Sequence, residues 1–124
     1  MDLLPFLKSV LEQDTAPVVL CDLEHTIIYM NPAAAENYKK YGGYQLMGAN
    51  LLNCHNPQSR EMINKVVGWF AESESNNIVH TFYNTKQNKD VYMVALRDDD
   101  KKLIGYYEKH EFREIDKTEM YKMD

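Results

Sequence analysis

Apolar residues Leu3, Leu4, Leu7, Val10 and Leu11 fall on one helical face between Asp2 and Asp14. Pro5 sits in the first turn of that stretch, where its missing N–H costs nothing. The pattern then changes to β-branched runs. PVVLCDL (Pro17 to Leu23) and TIIYMN (Thr26 to Asn31) read as two strands, joined by a turn over Asp22 to His25. Asn31–Pro32 is a helix start, with Asn as cap and Pro in the first helical position. A short helix over Ala33 to Tyr41 follows, and Gly42–Gly43 ends it.

YQLMGANLLNCH is broken by Gly48 and reads as short helical turns and loop. Asn56–Pro57 repeats the helix-start signal and opens the longest helix, Pro57 to Ser73. Its expected buried stripe is Met62, Ile63, Val66, Val67, Trp69 and Phe70. Three strands come next: Ile78 to Thr85, Lys89 to Arg97 and Lys102 to Arg113. This order lacks the regular strand–helix alternation of a parallel doubly wound sheet. It implies an α+β fold: a five-stranded antiparallel sheet with helices on one face and an N-terminal amphipathic helix. In the fourth strand Val91, Met93 and Ala95 point one way, and Tyr92, Val94 and Leu96 the other. Both faces therefore need cover. The central helices supply one; the N-terminal helix or a second subunit must supply the other. The expected divisions are an N-terminal helix over 1–14, the domain proper over 15–113 and a polar tail over 114–124.

Composition narrows the class. The chain has 124 residues and a net charge of −5, with 44% hydrophobic and 27% charged residues. That fits one soluble domain with a single core. Its 14 basic residues are scattered, which argues against nucleic acid as a partner. No apolar run is long enough for a membrane span. Two cysteines are too few for a disulfide framework, and no secretory leader is evident. A cytoplasmic location with reduced thiols is expected.

APVVLCDLEHTIIYMNPAAAENY resembles the opening of a PAS domain, where an Asp-containing turn joins the first two strands and an Asn closes the second. GYQLMG resembles that family's Gly-Tyr…Leu-x-Gly segment, and RDDDKKLIGYYEKHEFREIDKTE its last hairpin and polar exit segment. The resemblance runs from about Thr15 to Glu119. His25 stands where a glycine is usual. CHNPQSREMINKVVGWF is similar to a subgroup with a Cys-His-x-Pro or His-Pro segment before the long helix, which includes PAS modules linked to haemerythrin-like domains. The resemblance implies strand order 2-1-5-4-3 and a sensory or interaction role without catalysis. It also implies signalling through a homodimer or partner protein.

The candidate site follows from that likeness. A small apolar ligand would sit between the sheet and the long helix, walled by Ile63, Val67, Phe82, Met93 and Tyr106. His55 would be its polar contact, with Cys54 beside it. Three functions stay open: a ligand-binding sensor, a haem-binding gas or redox sensor with His55 on the iron, and a ligand-free interaction module. The bland alternative makes Cys54 a small core residue and His55 a local hydrogen-bonding group at a helix start. His25 and His110 are expected to be exposed. No Gly-x-Ser-x-Gly, His-Glu-x-x-His or phosphate-binding glycine loop is present.

Overall fold

The computed structural model describes residues 1–124. Its elements are α1 (Leu4–Gln13), β1 (Val19–Asp22), β2 (Ile27–Met30), α2 (Pro32–Asn37), α3 (Pro57–Glu72), β3 (Ile78–Asn84), β4 (Lys89–Arg97) and β5 (Leu103–Phe112). Short 3-10 turns at Lys39–Tyr41, Gly43–Leu46 and Leu51–Cys54 connect α2 to α3. All neighbouring strands pair antiparallel, in the order β2-β1-β5-β4-β3.

Both Asn-Pro signals act as helix caps. Asn31 Oδ1 accepts from the Ala34 N–H, and Asn56 Oδ1 from the Ser59 N–H. Asn31 is wholly buried and does more. The same Oδ1 accepts from Val18 N–H at 2.9 Å, and Nδ2 donates to the Leu11 and Ala16 carbonyls at 3.0 Å each. One side chain thus joins the end of α1, the entry to β1, the end of β2 and the start of α2. The β1–β2 turn holds His25 at φ +66°, a left-handed conformation that any side chain strains to adopt. Asp22 Oδ1 steadies it by accepting from the Glu24 and Thr26 N–H groups.

Directly opposed residues in an antiparallel sheet point to the same face. One inner row runs Val79–Met93–Glu108–Val19–Met30, and the next Ala95–Tyr106–Cys21–Ile27. Helices α2 and α3 and the 3-10 turns cover this side. The buried core joins Val19, Cys21, Ile27, Met30, Ala34, Leu51, Ile63, Phe70, Met93 and Tyr106. Of the expected α3 stripe only Ile63 and Phe70 are buried; Met62 and Trp69 are exposed.

The opposite face carries the row Ile78–Val94–Tyr107–Leu20–Tyr29. α1 does not cover it, contrary to one of the two expectations from its amphipathic pattern. No residue of α1 is buried, and Leu4, Phe6, Leu7 and Val10 are each more than half exposed. The helix is held by its C-terminal end, through Asn31 and through Tyr29 Oη donating to Glu12 at 2.6 Å. The tail beyond Phe112 forms no helix.

Candidate functional site

Between α3 and the inner face of β3, β4 and β5 lies a cavity of about 520 Å³. Gln58, Ser59, Met62, Ile63 and Val66 line it from α3, and His55 from the loop before it. Val79, Phe82, Val91 and Met93 form apolar wall on the sheet side. The rest of that wall is polar: His80, Thr81, Asn84, Lys89, Glu108 and His110, with Asn37 and Tyr38 alongside.

Each polar group has a distinct environment. His55 Nδ1 stands 2.9 Å from the Leu51 carbonyl. A carbonyl only accepts, so Nδ1 carries the proton and Nε2 of the neutral ring keeps its lone pair. Glu108 sits mid-sheet in an otherwise apolar row, and its carboxyl has no hydrogen bond within the chain. Burial holds its pKa above the usual carboxylate range, with Lys89, and His55 whenever that ring is protonated, opposing in part. Lys89 is 2% exposed and pairs with no carboxylate; its Nζ lies 5.8 Å from the Phe112 ring centre. Burial pulls its pKa down, against the pull of Glu108. The His110 side chain is 5% exposed, and neither ring nitrogen has a hydrogen-bond partner. Its nearest carboxylate oxygen, on Glu108, is 3.9 Å away, too far for a hydrogen bond. Burial, reinforced by Lys89, lowers the His110 pKa to about 4, with Asp14 opposing.

No family model matches this sequence, and no curated protein does. Solved structures do. The PAS domain of a Colwellia psychrerythraea protein superposes with a TM-score of 0.66 at 16% identity, over 90% of this chain and 97% of that one. The chain has the PAS fold. The PAS domain of Bordetella pertussis BvgS is similar over 97% of this chain and 90% of its own, with a TM-score of 0.59 and 16% identity. The Aer2 receptor of Vibrio cholerae, described as a dual PAS-heme oxygen sensor, is similar over 74% of this chain and 88% of its own, with a TM-score of 0.56 and 15% identity.

Within this PAS fold the expected site residues divide. His55, Ile63, Phe82 and Met93 line the cavity, although Phe82 is more than half exposed. Cys54, Val67 and Tyr106 do not. Cys54 belongs to a small apolar gap with Val19, Ile27, Met30, Tyr38, Leu46 and Leu51. Val67 packs against the core, two-thirds of the way along α3 and beyond the cavity. Tyr106 is fully buried in the core, and its hydroxyl is 2.7 Å from His25 Nδ1.

Two expectations about histidine fail. His25 is not a free turn residue: its ring bonds Tyr106 through Nδ1 and Asn64 Oδ1 through Nε2, at 2.9 Å. The left-handed backbone turns the ring toward the α3 side instead of outward. His110 is not exposed because register places it opposite Val91 on the inner face. His80 pairs with Asp90 at 2.8 Å and leans on Tyr92. Nowhere are three or more His, Cys, Asp or Glu side chains grouped to hold a metal ion. No helix is long and apolar enough to cross a membrane.

The buried His110 has a measurable consequence. An unfolded histidine takes up its proton near pH 6.5, but the folded one resists until about 4. Between those values the unfolded chain binds more protons, so stability falls as pH falls, by about 3 kcal/mol at most. Glu108 acts with the opposite sign: its raised pKa costs stability as pH rises through the folded value. His110→Phe is expected to flatten the acid limb of a urea-midpoint-versus-pH curve below pH 6.5 and leave the Glu108 limb in place. An unchanged acid limb would show that His110 protonates freely in the fold.

Proposed function

We propose that this is a sensory domain whose cavity between α3 and the sheet binds a small molecule. The observation that carries this is the cavity itself: about 520 Å³, walled by a buried imidazole without a partner, His110, and by the Glu108 carboxyl and Lys89 ammonium, which make no hydrogen bond within the chain. A protein that needed only a packed core would not retain such groups, because each costs stability when buried unpaired. Occupancy would shift α3 against the sheet and so alter contacts at the terminal segments. The role is sensory and not catalytic. Native mass spectrometry tests it. Protein exposed to cell extract should retain a small-molecule adduct, and Val66→Trp, which fills the cavity, should lose it. A wild-type protein that takes up nothing would favour the interaction module with no ligand.

The signal would pass through a second copy of the chain. The partly exposed outer row from Ile78 to Tyr29 and the unburied apolar face of α1 are complementary surfaces on one molecule. Two chains can each lay α1 on the partner's sheet, burying both at once. Leu7→Lys with Val10→Lys should shift the mass measured by light scattering from a dimer to one chain without loss of secondary structure. A wild type that is already monomeric at high micromolar concentration would rule out this arrangement.

A haem ligated by His55 is the weaker reading. The free Nε2 and the Nδ1–H bond to a carbonyl suit an iron ligand. The remaining wall fits poorly: the porphyrin face would cover Glu108 without bringing it a donor, and only a propionate reaching Lys89 would find a partner. A Soret band in protein grown with haem supplied, abolished by His55→Ala, would reverse this ranking.

A further inference from the structure

Building on the reading of the cavity as a ligand site, we infer that its occupant is a small polar molecule. It presents an N–H or ammonium donor to Glu108 and a neighbouring oxygen acceptor to Lys89. An apolar ligand is the wrong chemistry for this wall. Glu108 occupies the centre of the inner face, on the central strand, between Met93 on one side and Val19 on the other. Its side chain keeps 14% of its surface exposed, although β1, β4 and α3 enclose it; the cavity is where that surface lies. Nothing in the chain donates to the carboxyl. His110 is the nearest basic group and stops 3.9 Å short. A buried carboxyl without a donor is expensive, and a ligand that supplies one removes that cost.

Lys89 makes the matching demand. Its ammonium can only donate, and no acceptor in the chain takes its protons. It stands at the far end of the same inner face, one row beyond the Val91–His110 pair. A hydrocarbon would leave both groups unpaired. A simple carboxylate would suit Lys89 and could accept from a protonated Glu108, but it would bring no donor to the second Glu108 oxygen. A molecule with donor and acceptor together, such as an amide-bearing heterocycle or an amino acid derivative, satisfies both ends. The apolar side chains of Val79, Ile63 and Met93 receive its carbon skeleton.

Three probes of matched shape test this: 2-quinolone, its N-methyl derivative and naphthalene. The first has donor and acceptor, the second acceptor only, the third neither. Binding is read from methyl resonances of Met93, Met62 and Ile63. Wild-type protein should bind 2-quinolone roughly ten- to a hundredfold tighter than the N-methyl compound, and naphthalene weakest. Glu108→Met, which keeps the length and removes the carboxyl, should erase the preference for the N–H compound. Lys89→Met should weaken both amides while that preference persists. Persistence of the preference in Glu108→Met, or naphthalene as the tightest wild-type ligand, overturns the inference and leaves the ligand site standing. If none of the three moves the methyl resonances at millimolar concentration, the ligand site itself is wrong.

Discussion

Asn31→Ala is expected to cost about 4 kcal/mol or more, enough to leave much of the chain unfolded at 37 °C. The reason is the number of backbone groups that depend on one buried amide. Val18 and Ala34 N–H groups lose their acceptor and the Ala16 carbonyl loses its donor, while the Leu11 carbonyl keeps only the Asp14 N–H. Val18 N–H, Ala34 N–H and the Ala16 carbonyl are then stranded at a buried site, and each costs roughly 1 to 3 kcal/mol. Asn56→Ala is the control, because Asn56 is the same cap in the same Asn-Pro motif but exposed. Its loss should cost about 1 kcal/mol, the ordinary worth of a helix cap. Urea midpoints of the two variants measure the contrast. Equal, small losses would mean that the Asn31 network contributes no more than a cap.

Gly105→Ala should have an effect of similar or greater size through sterics alone. Gly105 lies in β5 between Asp22 of β1 and Leu96 of β4. A Cβ added there would stand 2.2 Å from the Cys21 carbonyl oxygen. That atom is backbone in a paired strand, so the strand must move. β1 meets the rest of the sheet only through β5, and displacing it separates β2 and β1 from β5, β4 and β3. We expect loss of near-ultraviolet dichroism and collapsed amide dispersion, with destabilisation of about 4 kcal/mol or more. A native-like spectrum would show that β1 can slide away at little cost. A glycine inside a strand pattern signals such a close backbone approach.

Much of the architecture was legible because its causes are local. Asn-Pro at 31 and 56 starts helices for reasons contained in the dipeptide. β4 announced through apolar residues at both parities that each face needs cover, and the helices supply it on one face alone. The polar cavity wall was hidden for a physical reason as well. In Glu108-Lys109-His110-Glu111 every position is polar, so alternation cannot say which pair faces inward. Register decides that, and register is set by Met93 and Val91 on the neighbouring strand. The same gap misplaced Tyr106, which shares the inner face with Glu108 but falls a row nearer the packed end of the sheet. The exposure of α1 was illegible too, since an amphipathic stripe states that an apolar surface needs covering without naming what covers it.

Arg97 bears on how α3 can move. Its guanidinium donates to the Phe70, Ser73 and Asn76 carbonyls, at 2.7, 3.0 and 3.2 Å, and to Asn77 Oδ1 at 2.7 Å. These contacts fasten the C-terminal end of α3 to β4. The cavity lies toward the other end, where the side-chain ties are Asn64 to His25 and Arg60 Nε to the His55 carbonyl. α3 is therefore hung like a door: hinged at Phe70 and latched at Asn64, with the side-chain bonds of its first turn made only to the loop that precedes it. Admission of a guest should loosen the latch and leave the hinge unchanged, so amide exchange would quicken over 59–63 and not over 68–72.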